Sequence, residues 1–353
     1  MNDLTGARIA VAGAGVFGLT AALAVVWRGA TVELYDPRLR AGRLGFNASG
    51  VAAGMLAPAF EAVLDPASAG RFGLLREGRD RWPALLERIG LTGALDRSGA
   101  LMVADQDRIA HVERAAAALT AAGAVLETLS AEDAHRLQPA LGSSPAAAVF
   151  SPEDWRIDPR TAVPALLAAF EGAGGRLRAR RLMAVEGYDA VVLATGADGE
   201  GLVRLAPELT HLSPIKGQLL HLDGPPTGGP TLRFPDGYIA PQPSGAVVGA
   251  TMEAGRRSRR TTPAVLDALR TRAALWVPGL ATAGGRGFAG VRASTPDGLP
   301  LAGPGAHPGV LLATGARRNG WLLAPLVAEV VAEALAGRSH SQGALFAPGR
   351  FGA

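Results

Sequence analysis

Cysteine is absent from the 353 residues. That excludes disulfides, thiolate metal sites, iron–sulfur clusters, a cysteine nucleophile and any flavin or haem attached through sulfur. Lysine is nearly absent: Lys216 is the single one, and every other base is arginine. The formal charge is only +4, so the isoelectric point near 10.2 reflects the high pKa of arginine rather than a large positive excess. No basic run is interleaved with aromatics, and no nucleic-acid partner is expected. A G-x-S-x-G elbow is missing, which argues against a Ser–His–Asp hydrolase, and no ligand cluster calls for a metal. Long apolar runs are scarce. The one of near-membrane length, residues 9–26, is broken by three glycines at fixed spacing and followed by alternating TVELYD. A strand, turn and helix in a core explain it better than a signal anchor, so a cytoplasmic protein without stable membrane association is expected.

What is present is length for roughly two domains, with 47 glycines and 25 prolines punctuating it. Residues 8–12 (RIAVA) read as a buried strand, 13–18 as a turn, 16–28 as a helix and 31–36 as a second strand. This is one βαβ unit. Within it Gly13-x-Gly15-x-x-Gly18 has the dinucleotide spacing. Gly13 permits the tight turn, Gly15 lets backbone approach a pyrophosphate, and Gly18 lets helix and strand pack closely. The helix N-terminus then offers free N–H groups to phosphate. Asp36 stands where an acidic residue takes ribose hydroxyls, an ordinary strand-end turn being the alternative. The pattern does not separate FAD from NAD.

Further along, 46–60 is a small-residue loop or helix entry, and 70–90, 107–123 and 161–173 are helical by pattern. Ser130 opens another helix. The strand DAVVLATGA (189–197) is echoed by LLATGA (311–316). The echo suits parallel strands delivering Gly196 and Gly315 to one ligand, with chance similarity as the rival. Residues 217–222, 231–234, 237–242 and 245–251 have the pattern of antiparallel strands, and the last helix runs from about Gly320 to Leu335.

Six segments then occur in order: FNASGVAAGMLAPAFEA, SPEDWRIDPR, SPIKGQLLHL, GYIAPQPSGAVVGATM, GVRASTPDGLPLAG and LLATGARRNGWLLAPLVAEVV. Together they resemble the FAD-dependent amino-acid oxidase superfamily, and within it the glycine oxidases of thiamine biosynthesis. The resemblance implies FAD, here non-covalent. It implies an α/β plus α+β fold, in which a Rossmann-type FAD domain in several segments carries an inserted antiparallel-sheet substrate domain. The expected division is 1–85, 145–212 and 286–353 for FAD, with 86–144 and 213–285 for substrate. The cofactor set it implies is Gly13, Gly15, Val16, Phe17, Gly18 and Asp36 at the fingerprint, and Ala52, Ala53, Gly54 and Met55 along the flavin. Gly196, Gly315, Asn319, Gly320, Trp321 and Leu322 complete it.

For substrate, the resemblance assigns Arg292 and Tyr238 to the carboxylate, Arg318 close by as a second arginine, and Met252 to the pocket lining. A planar arginine fork suits a carboxylate. The bland alternatives are a solvated arginine, a packed strand tyrosine and a core methionine. Arg317 reads as surface or structural. The stretch 176–189 is short of the usual hairpin, which leaves the adenine contacts open. The reaction implied is oxidative deamination of glycine or another small amine, with hydride passing from Cα to FAD and O2 becoming H2O2. Rivals are a D-amino-acid oxidase or a dehydrogenase with a quinone acceptor, and a nucleotide-binding module without turnover. A homo-oligomer is possible.

Overall fold

A computed structural model describes residues 3–40, 43–142, 145–224 and 228–352. The strand Arg8–Ala12 is buried after its first residue and feeds the helix Val16–Val26, which is buried nearly all round. A helix apolar on every face needs cover on every face. The C-terminal helix Gly320–Leu335 packs against it, and Thr20 Oγ1 donates to Ala324 O between them at 3.1 Å. The apolar run of 9–26 thus divides into strand, turn and an 11-residue helix. Among the described residues no helix is long and apolar enough to cross a membrane.

Six strands form the first sheet, in the order 176–178, 31–35, 8–12, 190–193, 310–314 and 301–304. The first five are parallel, and 301–304 closes the edge antiparallel to 310–314. The two LATGA tails belong to neighbouring parallel strands in identical register, Leu193 opposite Leu312. Thr314 Oγ1 reaches Gly196 O at 3.4 Å, so the echoed tails touch. A single strand, Arg176–Arg178, stands where a hairpin is usual, and residues 182–186 go on to line a cavity.

The larger sheet is mainly antiparallel. Its long strand Ser213–Asp223 pairs with Gly285–Ser294 along most of its length, and with Gly245–Gly249 and Glu253–Ala254 on the other side. Gly237–Gln242, Thr231–Phe234, Ala100–Ala104, Ala147–Ser151 and Glu127–Thr128 follow in order. The pairing of 231–234 with 100–104 is parallel. This hydrogen bonding carries the sheet past positions 145 and 286, through 147–151 and 285–294.

Helix ends follow local chemistry. Asp158 accepts from Arg160 N at 2.9 Å and Pro159 takes the first helical position, where its missing N–H costs nothing. Ser130 Oγ accepts from Asp133 N at 3.1 Å. The stretch read as one helix over 70–90 is two, Phe72–Asp80 and Trp82–Arg88, divided just before Pro83.

The fingerprint glycines divide by need. Gly13 has φ +106°, and a Cβ there would lie 2.4 Å from Ala194 O. A Cβ on Gly18 would lie 1.8 Å from Gly13 O. At Gly15 the nearest atom is Ser49 Oγ at 3.4 Å, ordinary contact. Gly18→Ala is therefore expected to lower unfolding stability by about 3 kcal/mol, and Gly15→Ala by less than about 1 kcal/mol. Denaturant unfolding of both variants checks this; equal losses would refute the division.

Candidate active site

Two cavities open where the sheets meet, and both are lined by Ala48 of the short helix Ala48–Val51. The first, of about 540 Å³, lies over the C-terminal ends of the parallel strands. Gly13, Gly15, Asp36 and Gly196 line it. Asp36 is buried, and its carboxylate accepts from Ala14 N at 3.0 Å and Arg38 N at 2.8 Å, so it also ties down the turn. Ser49 Oγ accepts from Val16 N at 3.0 Å and covers one N–H of the helix start. Val16, Phe17 and Gly18 are buried between helix and strand and line neither cavity. Gly315, Gly320 and Leu322 line neither as well; Gly315 has φ +80° beyond its strand, and the other two lie in the C-terminal helix.

The second cavity, about 370 Å³, gathers residues from stretches spread between Ala48 and Trp321. Ala52, Ala53, Gly54 and Met55 form one wall. Tyr238 and Met252 come from the larger sheet and its following loop, Arg292 from the strand Gly285–Ser294, and Arg318, Asn319 and Trp321 from the entry to the last helix. Trp321 Nε1 donates to Ser49 O at 3.0 Å and its ring stacks on Trp82, which fixes this helix start against the small-residue segment. Asn319 Nδ2 donates to Ser68 Oγ at 3.0 Å.

The arginines differ in how they are satisfied. Arg317, at φ +47°, grips buried Asp65 with Nε and Nη2, each at 2.9 Å. Arg318 grips Glu61 the same way, Nε to Oε2 at 2.8 Å and Nη2 to Oε1 at 3.0 Å. Arg233, fully buried, gives Nη2 to the same Glu61 Oε1 at 2.8 Å and Nη1 to Met55 Sδ at 2.9 Å. Burial alone would raise the Glu61 pKa, but the two guanidiniums outweigh it and hold the carboxyl at about 2. Arg292 has no acidic partner among the described residues. Its Nη1 has only Thr251 O at 3.4 Å and Met252 Sδ at 3.6 Å, and burial pulls its pKa below the ordinary value.

Gly217 makes room for that guanidinium: a Cβ there would lie 2.2 Å from Arg292 Nη1 and 2.7 Å from Cζ. Tyr238 is buried, and a Cβ on Gly249 would lie 2.5 Å from its hydroxyl. Burial pushes the phenol above its usual value, so it stays a neutral donor. Glu61, Arg233, Gly217 and Ser49 are absent from the residues expected on sequence grounds. Two of them carried a signal: a lone charge inside an apolar element, Glu61 in PAFEAVL and Arg233 in TLRF.

The sequence profile of the "FAD dependent oxidoreductase" family matches residues 8–334. The chain is 33% identical, over 98% of its length, to the tRNA 5-methylaminomethyl-2-thiouridine biosynthesis bifunctional protein MnmC of Caulobacter sp. (strain K31), of which it covers 57%. It is 32% identical, over 93% of its length and 96% of the relative, to the putative thiamine biosynthesis oxidoreductase ThiO of Rhizobium etli. The chain spans little more than half of the bifunctional relatives. The crystal structure of glycine oxidase from Geobacillus kaustophilus is similar with a TM-score of 0.83 at 26% identity, covering 98% of this chain and 99% of that one.

Two outcomes test this geometry. Gly217→Ala is expected to weaken binding of acetate, a carboxylate probe, by about tenfold in calorimetry while leaving the fold intact; unchanged affinity would separate Gly217 from the guanidinium. Asp154 is buried and accepts from Ala59 N at 2.8 Å and Phe60 N at 3.0 Å at the start of the Glu61 helix. Burial raises its pKa from 3.8 to about 7. The stability it contributes is present below the unfolded value and is lost as pH rises through the folded one. Asp154→Asn keeps an acceptor without the ionisation. Its amide nitrogen faces one of the two backbone N–H groups, a loss present at every pH, so the Tm difference, variant minus wild type, is expected to be more positive at about pH 8 than at about pH 4; a difference independent of pH would show that ionisation is not the cause.

Proposed function

The chain belongs to the FAD dependent oxidoreductase family and its cofactor is FAD; from that premise we propose that it oxidatively deaminates glycine or a similarly small amino acid. The residues present fit the cofactor. The two cavities lie on either side of Ala48, which lines both, a placement that suits a long dinucleotide. Two buried polar atoms, Thr195 Oγ1 beside the first and Asn319 Oδ1 beside the second, have no hydrogen-bond partner among the described residues. Gly13, Gly15 and Asp36 would hold the nucleotide half, and Ala52 to Met55 with Trp321 the ring half. When bound, FAD supplies the chemistry: it accepts a hydride from the substrate Cα and passes the electrons to O2, giving H2O2.

One observation carries the reading. Arg292 is a guanidinium in the cavity wall without a counter-charge among the described residues, whereas Arg317 and Arg318 each have one. A substrate carboxylate supplies the missing anion through two parallel hydrogen bonds. Tyr238, a neutral phenol in the same cavity, adds a donor. The Arg292 guanidinium in that cavity disfavours an ammonium ion beside it, so on this reading the substrate amine binds unprotonated. No protein base is then required. Glu61, saturated by arginines, is unsuited to be one. The wall formed by Ala52, Ala53 and Met55 keeps water from the reacting carbon.

The ThiO-like relative supports a place in thiamine (thiazole) biosynthesis. A second reading rests on the exposed loop holding Arg256, Arg257, Arg259 and Arg260, together with a relative named for tRNA modification. Arg257 and Arg259 are engaged by Glu200 and Asp198, while Arg256 and Arg260 have no acidic partner among the described residues. On that reading the amine is carried on RNA.

The test is anaerobic. Protein reconstituted with FAD is mixed with glycine, sarcosine, D-amino acids and unfractionated tRNA; bleaching of the flavin identifies the substrate, and air then yields peroxide. Arg292→Ala is expected to raise KM about a hundredfold with a smaller change in kcat. A colourless reconstituted protein, or no bleaching with any of the panel, would overturn the proposal.

A further inference from the structure

Glu61 has both oxygens occupied. Oε1 accepts from Arg318 Nη2 and Arg233 Nη2, and Oε2 from Arg318 Nε. Arg233 is sealed inside the wall, its two terminal nitrogens spent on Glu61 and Met55. Glu61, Arg233 and Arg318 all line the cavity, one carboxylate is shared by the two guanidiniums, and the Nε–Nη2 edge of Arg318 is the edge that Glu61 holds. Of the other arginines in the lining, Arg292 and the exposed Arg272 have no acidic partner among the described residues, and Arg292 is the less exposed of the two.

We propose that Glu61 sets the charge class of the substrate: by holding Arg318 it withholds that guanidinium from the substrate and leaves Arg292 to bind it, so the pocket selects amines bearing a single carboxylate over those bearing a second anionic group. This rests on the carboxylate reading of Arg292. A substrate anchored there by one carboxylate would bring a second towards the Glu61 charge. It would find the Nε–Nη2 edge of Arg318 already filled by Glu61, and a desolvated anion short of its hydrogen bonds is strongly disfavoured. Glu61 touches no reacting atom on this account; it is a positioning residue that acts through Arg318.

The experiment compares acetate with malonate on the FAD-loaded protein, reading each dissociation constant from the perturbed flavin absorbance, and turnover of glycine with that of D-aspartate. Wild type is expected to bind acetate at least as tightly as malonate. Glu61→Gln is expected to raise the malonate-to-acetate affinity ratio about tenfold, the effect of one added charge-assisted pair, and to shift kcat/KM towards D-aspartate. Glu61→Asp, which keeps the charge, should restore most of the wild-type ratio. Glu61→Gln leaves two buried guanidiniums with one partner fewer. The double variant Glu61→Gln with Arg233→Met removes one charge of each sign, frees Arg318 and carries the test if the single variant does not load FAD. An unchanged ratio in a folded, FAD-loaded variant, or a wild type that already prefers malonate, would overturn the proposal. If acetate binding ignores Arg292→Ala, the carboxylate reading itself has failed, a result distinct from a failure of Glu61.

Discussion

A guanidinium held in a cavity wall without a carboxylate beside it is the constraint on which the rest of the site depends. Desolvating a charge is expensive, and proteins ordinarily answer it with an opposite charge. Here the neighbouring arginines are answered: Asp65 takes Arg317, and Glu61 takes both Arg318 and Arg233. Arg292 is left with a carbonyl at 3.4 Å and a thioether at 3.6 Å, both weak acceptors at those distances. Such an arrangement needs rigid support. Gly217 supplies space for the guanidinium, and the long pairing of Ser213–Asp223 with Gly285–Ser294 fixes the strand from which it projects, with Ile215 opposite Arg292.

The two sheets divide the labour. The parallel sheet delivers glycines and a helix start to one end of its strands, the usual place for a dinucleotide in an open α/β sheet. The antiparallel sheet delivers Tyr238 and Arg292 from its strands and Met252 from a following loop. Its own apolar cluster, around Leu101, Phe234 and Val248, is separate from the cluster around the fingerprint helix. Ala48 and Trp321 lie at the seam. The Trp321 indole bonds to Ser49 O and its carbonyl accepts from Trp82 Nε1 at 2.8 Å, so the last helix is keyed to both the small-residue segment and the helix Trp82–Arg88. Docking this seam sets the two cavities on either side of Ala48.

How much of this was legible in the sequence depended on how far apart the cooperating residues lie. The fingerprint was legible because its glycines, strand and helix are contiguous and each obeys a local steric rule. The two LATGA tails were legible as a pair, and their register shows why both end in glycine. Arg292, Tyr238 and Met252 were reachable through motif resemblance, and the fold brings them to one cavity. The Glu61 cluster was not legible. Glu61 and Arg318 are 257 residues apart, Glu61 and Arg233 172 apart, and no periodicity links them. Arg318 shows the limit well. Its place beside the cavity could be expected, but which anion it holds is decided by Glu61, whose lone charge inside PAFEAVL is a local signal that names no partner. Gly217 escaped for a similar reason: its lack of a side chain matters only because Arg292, 75 residues later on a neighbouring strand, lies over it.

The buried cluster is a poor device for stability. Two charges brought out of water recover their desolvation cost only with near-ideal geometry, and well-packed apolar groups of similar volume often serve as well or better. The wall around Glu61 could have been leucine and methionine, as much of the surrounding core is. Its stabilising effect is also conditional on pH. The Glu61 carboxyl, held at about 2 by its arginines, contributes only while ionised, and that contribution fades as acid protonates it. What the cluster supplies that apolar packing does not is a fixed pattern of charge. Arg318 and Arg233 are both held by Glu61, and Arg292 is left without a carboxylate among the described residues. A pocket meant to bind a small anion in a single orientation needs that asymmetry, because three equivalent guanidiniums would offer the same carboxylate several competing poses.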